Sequence, residues 1–399
     1  MFYDDLVIGS GLTALSVVMG LDESKRVLVL GGRQSTTLIY YPKNGNIPFL
    51  NLASGGLGNF WHGVIPLFDN VYFRNFQKDR KVNFLRNFYT KIIFSDSEIK
   101  NGIFVPYFPI RPRKHFKKIL AQNRNFEYFN TEAEEFQVVG NKIVVDSGGR
   151  KFFCKRLWIA AGTLCTARLL ECSGFQSLTN KHLSDHFIIY LGQIRKNELS
   201  SDKIIKIKQN KYGYSFIPYL RNDNILVTAR PAFFDYKKLD YGISQRQVFG
   251  LPTGSMITKL LKTSSPGLIC ESIFNKTGQL SNANLYNIYA QVNVKNSFTR
   301  TNKTFELKQN TEVIKNQLIN ISHSIITPDF VPTQISENFF PAIHLHGSVD
   351  KENAIDKLNI NNDDSNIYIV DPSIAADLGP EHHIFKFMQN AYQMSKNSN

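Results

Sequence analysis

Asp4-Asp5-Leu6-Val7-Ile8-Gly9-Ser10-Gly11-Leu12-Thr13-Ala14 is the stretch on which the fold turns. Leu6-Val7-Ile8 is a short apolar run of the kind that forms a parallel strand buried on both faces. Gly9-x-Gly11-x-x-Ala14 follows at once, and a helical pattern continues through Leu15, Val18, Met19 and Leu21. Strand, glycine turn and helix form the context that a dinucleotide-binding fingerprint requires. Gly9 permits the tight turn, Gly11 lets backbone approach a pyrophosphate, and Ala14 is small enough for close helix–strand packing. The start of the helix, at Leu12 and Thr13, then presents N–H groups to the phosphates. Arg26-Val27-Leu28-Val29-Leu30 supplies the second strand of a βαβ unit.

The acidic residue that usually holds the ribose falls about twenty positions on, near position 31. Gly31-Gly32-Arg33 stands there instead. Either Gln34, Ser35 or backbone groups hold the ribose, or Arg33 faces a phosphate.

Working outward, Asn51 to Gly63 carries Gly55, Gly56 and Gly58 beside Asn59, Phe60, Trp61 and His62. Three glycines in four residues next to aromatics suggest backbone laid flat against a ligand. Arg113 to Gln122 reads as a short helix after Pro112, and Phe126 begins a strand. Phe136 to Val145 reads as a hairpin turning at Gly140-Asn141, and a turn at Gly148-Gly149 leads into Phe152-Phe153-Cys154. A buried strand from Arg156 comes next, ends in Ala160-Ala161-Gly162 and runs into a helix. Residues 188–300 change character. Period-two runs at 203–208, 214–217, 225–228 and 287–294 indicate an antiparallel sheet, with helical patterns near 244–262 and 306–320.

With 399 residues, 42% of them hydrophobic, the chain has enough material for two domains and a sizeable core. Lys and Arg number 47 and Asp and Glu 33, a net charge of +14. These cations are spread along the chain with no run of five like charges, which argues against a nucleic-acid partner and fits a solvated basic surface or anionic substrates. The four cysteines show no metal-ligand spacing and read as reduced, mostly buried thiols of a cytoplasmic protein. The first strand begins by residue 5, leaving no room for a leader, and no stretch reaches the length of a transmembrane segment.

Taken in order, these stretches resemble the glucose–methanol–choline (GMC) oxidoreductases, FAD enzymes that oxidise alcohols. The resemblance rests on five places: the opening fingerprint; Gly55-Gly56-x-Gly58-Asn59-x-Trp61; Ile159-Ala160-Ala161-Gly162-Thr163 with the helix after it; Leu183-Ser184-Asp185-His186; and His344-Leu345-His346-Gly347-Ser348 followed by Ile367 to Ser373 and on to His382. The fold it implies is α/β, a Rossmann-like FAD-binding domain (GMC or glutathione-reductase-like) with an antiparallel-sheet substrate domain. Residues 1–66, 106–187 and 339–399 would form the former; 67–105 and 188–338, which carry no defensible resemblance, the latter.

By position, the resemblance makes His344 the active-site histidine and His382 the second. Asp371 falls where the family contacts the ribityl–pyrophosphate region, and Phe60 where some members carry a flavin-linked histidine, so FAD is expected to be non-covalent. The cofactor-binding set is then Gly9, Gly11, Leu12, Thr13, Ala14, Arg33, Gly55, Gly56, Gly58, Asn59, Trp61, Ala161, Gly162, Asp371 and His383. No metal is expected. Chemically, a base near neutral pKa takes the hydroxyl proton as hydride leaves carbon, and a second donor steadies the developing alkoxide. His344 is assigned as the base and His382 as the oxygen-holding partner, roles that could exchange, with His346 and His383 as structural neighbours. The helix after His382 would favour the anionic reduced flavin. The expected substrate is a small alcohol or sugar, anionic ones included, with the electron acceptor open. Competing readings are an NADP-type reductase, suggested by Arg33, and a catalytically degenerate flavin-fold binding protein.

Overall fold

Leu6 to Ile8 and Val27 to Leu30 form strands because both faces of each are covered, so no polar alternation is needed. The structure, a computed structural model, describes residues 2–32, 38–40, 48–51, 55–56, 58, 63–66, 102–107, 110–198, 207–210, 213–216, 218, 220–221, 225–233, 270, 273–274, 277–280, 283–300, 305–307, 316, 320, 339–341, 344–361, 366–380 and 383–398. In chain order the principal elements are β1 (Phe2–Ile8), α1 (Leu12–Gly20), β2 (Val27–Leu30), α2 (Pro112–Gln122), β3 (Phe126–Phe129), β4 (Glu135–Val139), β5 (Lys142–Ser147), β6 (Arg150–Ile159), α3 (Thr163–Cys172), β7 (His182–Arg195), β8 (Ile225–Ala232), β9 (Leu285–Arg300), α4 (Lys351–Leu358), β10 (Ile367–Ile369) and α5 (Ile384–Asn397).

Among the described residues the first sheet is seven-stranded, in the order β3-β2-β1-β6-β5-β4, with β10 also on β6. β3, β2, β1, β6 and β10 run parallel; β5 and β4 are antiparallel. The side chains alternate between two cores. Val7, Val27, Val29 and Trp158 face α1, α2 and α5, meeting Leu15, Phe116, Phe385 and Met388. Leu6, Ile8, Leu28 and Ile159 face α3 and α4, meeting Leu169, Leu170 and Ala354. Trp158 stacks on Tyr368 at 4.0 Å between ring centres, and its indole donates to Asp5. Asp5, fully buried, also takes a two-point ion pair from Arg156, which offsets the cost of burying its charge.

The expected βαβ start, α2, the 140–141 hairpin and α3 are found where the sequence places them. The buried strand read from Arg156 starts earlier, at Arg150, and takes in Phe152-Phe153-Cys154. β6 runs unbroken over ten residues because β1 covers one edge over residues 153–159 and two strands share the other edge. Its first half takes β5 and its second half takes β10. A strand at Phe305–Leu307 pairs with the end of β9, so the helical pattern near 306–320 does not begin where the sequence suggests; the one near 244–262 lies outside the described residues. The expectation of mostly buried cysteines also needs correction. Cys154 is buried, but Cys165 and Cys270 are half-buried and Cys172, at the end of α3, is exposed.

The antiparallel region is found. β8, β9 and β7 form the centre of a six-stranded sheet among the described residues, flanked by Leu220–Arg221, Phe339–Pro341 and Phe305–Leu307. A four-stranded sheet joins Ile65–Pro66, Ile103–Pro106, Gly213–Phe216 and Ile207–Asn210. No helix among the described residues is long and apolar enough to cross a membrane.

Candidate active site

The glycine cradle is built at the ends of β1 and β6. Gly9 has φ +116°, and a Cβ there would stand 2.1 Å from the Ala160 carbonyl oxygen, so only glycine lets the two strand ends meet. Gly11 is different. Its φ of −76° suits any residue, and nothing lies within 4 Å of the position a Cβ would take. It begins α1 with no side-chain cap and no acidic residue in the first turn. The N–H groups of Leu12, Thr13 and Ala14 therefore start a helix that is free of competing anions and suited to a phosphate.

Ser10, which the sequence reading passed over, joins the cradle together. Its buried hydroxyl donates to the Gly31 carbonyl at 2.6 Å and accepts from the Gly55 N–H at 2.9 Å. The second glycine stretch is thereby tied to the first, and a Cβ on Gly58 would press on Pro112 and Leu12. Tyr128 explains the missing acid. Its hydroxyl donates to the Gly31 carbonyl at 3.1 Å, and a Cβ on Gly31 would stand 1.9 Å from that oxygen. The space that an acidic side chain would enter belongs to a tyrosine from β3.

Ala161 and Gly162 lead into α3 beside Asp371. The Asp371 carboxylate, fully buried, accepts from Gly162 N at 2.8 Å, Thr166 Oγ1 at 2.6 Å and Ser373 N at 3.0 Å. Burial raises its pKa and these donors oppose the rise. Its described partners are thus within the protein, and it fixes the path of the Gly162 backbone. Arg33, Asn59, Phe60, Trp61, His62 and His382 lie outside the described residues.

Four histidines converge from three distant segments. A register shift in β7 between Leu183 and Asp185 turns Ser184 away from β9. The Ser184 backbone instead exchanges two hydrogen bonds with His346, at 3.1 and 3.0 Å, which docks the 344–348 segment beside β7. Thr163 Oγ1 donates to the Leu345 carbonyl and Ser348 Oγ to the Thr163 carbonyl, locking the same segment to α3. One Asp185 oxygen, Oδ1, then accepts from the backbone N–H of both His186 and His344, each at 2.7 Å.

The rings of His186, His344 and His383 come together. His186 and His344 have ring centres 5.5 Å apart, His186 and His383 5.0 Å, and His344 and His383 4.9 Å. His344 Nδ1 stands 3.4 Å from His186 Nδ1, and Gln291 Nε2 lies 3.2 Å from the same atom. His346 is held apart. A carbonyl only accepts, so the 3.0 Å contact of His346 Nδ1 with the His344 carbonyl places the proton on Nδ1 and leaves a lone pair on Nε2. Burial pushes the His344 imidazole down to about 4, below the near-neutral value expected of the base, with the neighbouring His346 adding to the effect, and burial lowers His346 as well. Both rings are neutral at neutral pH, the form that accepts a proton.

The structure thus brings together His344 and His383 from the sequence-based set and adds His186 and Asp185. The sequence signal for the last two was the Leu183-Ser184-Asp185-His186 landmark, which carried no assigned role. Their part depends on the bulge at Ser184.

The mixed α/β architecture is similar to that of solved oxidoreductases, one of them FAD-dependent, in line with the fold that the GMC resemblance implies. The chain is similar to pyridoxine 4-oxidase from Mesorbium loti with a TM-score of 0.54 and 12% identity, over 98% of this chain and 98% of that one. It is also similar to an FAD-dependent oxidoreductase from Chaetomium thermophilum, in complex with a butanamide fragment, with a TM-score of 0.53 and 11% identity, over 99% and 98%. At these identities the likeness is one of fold. No family model matches the chain, and no curated protein matches it by sequence.

Proposed function

We propose that the chain is an FAD-dependent oxidoreductase that oxidises the CH–OH group of a small alcohol or sugar-type substrate. The observation that supports this reading is the docking of the segment carrying His344 onto Thr163, the residue after the open Gly162 turn, on a fold similar to that of FAD-dependent oxidoreductases. The residues suit the cofactor. Gly11 and Gly162 leave open space where side chains would intrude, and the uncapped start of α1 suits a pyrophosphate. FAD, when bound, supplies the acceptor for hydride. The protein's share is proton handling and positioning. His344, neutral and half-buried, takes the substrate hydroxyl proton on a ring nitrogen, and Asp185 fixes its backbone. His382 retains its proposed role as the oxygen-holding donor from its motif position, and Asp371 holds the Gly162 turn. Non-covalent attachment and the division into residues 1–66, 106–187 and 339–399 against 67–105 and 188–338 belong to the same proposal.

His344→Ala is expected to keep FAD bound and to slow flavin reduction by substrate by about two to four orders of magnitude. Rapid-mixing absorbance of the flavin reads this directly. Reduction at the unaltered rate would remove His344 from the role.

A further inference from the structure

Among the described residues, His186, His344 and His383 are a group of three histidines whose ring nitrogens, one from each, lie within 4.8 Å of one another. We propose that these three histidines form a binding site for a divalent transition-metal ion of the Zn2+ type. The geometry supports it at two levels. Zn–N bonds of 2.0–2.1 Å in tetrahedral arrangement put ligating nitrogens about 3.3 Å apart and ring centres about 5.2 Å apart. The Nδ1 atoms of His186 and His344 are 3.4 Å apart, and the three ring-centre separations are 5.5, 5.0 and 4.9 Å. The rings are also splayed, at 85°, 72° and 80° to one another, rather than stacked.

The ligand chemistry agrees. Imidazole nitrogen suits Zn2+, Cu2+ and Ni2+, whereas Mg2+ and Ca2+ demand oxygen donors. His186 and His383 are buried and His344 is half-buried, which leaves one side for a fourth ligand such as water. Asp185, through the two 2.7 Å bonds to the backbone of His186 and His344, sets the spacing of two of the three ligands before any ion arrives. On binding, the ion takes the place between the two Nδ1 atoms, and the Gln291 amide gives up its contact with His186. Resting on the reading of His344 as the base, a bound ion would occupy its lone pair and hold the oxidoreductase in an inactive state. The site is then a point of reversible inhibition by metal.

Equilibrium dialysis of tag-free, FAD-loaded protein against Zn2+ tests the proposal, with metal content read by elemental analysis. The expected result is one saturable Zn2+ per chain, lost in the His186→Gln/His383→Gln double variant and weakened about 10–100-fold in Asp185→Asn. X-ray absorption at the zinc edge of the unaltered protein gives a second reading that needs no variant, with three nitrogen neighbours at about 2.0–2.1 Å expected. No saturable binding, undiminished binding in the double variant, or a shell without imidazole overturns the site. Saturable binding that leaves flavin reduction unaffected supports the site and instead overturns the base assignment of His344.

Discussion

Gly9 and Gly11 sit two residues apart in one fingerprint, yet the structure gives them opposite burdens. In Gly9→Ala the new Cβ would stand 2.1 Å from the Ala160 oxygen, 2.6 Å from its carbonyl carbon and 3.1 Å from Ala161 N. These are backbone atoms of the β6 end, anchored by the Ala160 N–H donating to Ile8 O at 2.8 Å, so they cannot step aside cheaply. Overpacking costs about 1–3 kcal/mol. A residue forced to positive φ costs about 1–3 kcal/mol more. Together the change amounts to roughly 2–6 kcal/mol, a large part of the 5–15 kcal/mol that holds a typical protein folded. In Gly11→Ala the new Cβ meets nothing within 4 Å at an ordinary φ, so the fold loses only the difference between glycine and alanine at a helix start, below about 1 kcal/mol. The open volume is where the pyrophosphate would lie, and an unwanted methyl there would weaken FAD by about 10–100-fold, taking 1–3 kcal/mol for the overpacked contact. The assay is thermal unfolding of FAD-stripped protein alongside flavin titration. Gly9→Ala is expected to lower the melting temperature by several degrees, with Gly11→Ala close to the unaltered protein but poor in flavin. Equal melting losses for the two variants, or undiminished FAD affinity in Gly11→Ala, would refute the assignment.

Restoring the missing acid by Gly31→Asp is expected to destabilise the protein by about 1–3 kcal/mol, because the side chain must displace Tyr128; a combined Gly31→Asp/Tyr128→Ala variant should regain part of the loss in urea unfolding. Arg300 donates from two nitrogens to the Glu171 carboxylate, which Thr179 also reaches, and the arginine's bonds hold the Glu171 pKa below its usual value. A lowered carboxylate pKa stabilises the fold above the ordinary glutamate range and loses that contribution as pH falls through the folded-state pKa. Glu171→Gln should therefore cost about 1–3 kcal/mol at pH 7, with the gap from the unaltered protein closing in strong acid. A gap that persists unchanged at low pH in denaturant melts would mean that packing, not charge, is what Glu171 contributes.

Much of the parallel-sheet half could be read from the sequence because its signals are local. Val27 to Leu30, the Gly140-Asn141 turn and the Gly-x-Gly start of α1 each declare their structure within about ten residues, through side-chain period or backbone freedom. The antiparallel region showed itself in the same way, through its period of two. What escaped were features whose cause lies far along the chain. β6 is one strand because β5 and β10, separated by more than two hundred residues, share its edge, and no pattern within it reports that. Gly31 looks like a departure from the fingerprint until Tyr128, 97 residues on, is found in the space. His344 could be singled out by motif, but its company could not. The bulge at Ser184 turns β7 towards His346, Asp185 ties two backbones with one oxygen, and His383 arrives at the start of α5. Sequence determines which segments can be strand, turn or helix, since those preferences are set by each residue and its near neighbours. Which side chains share a site is decided by long-range pairing and packing, and only the folded chain carries those out.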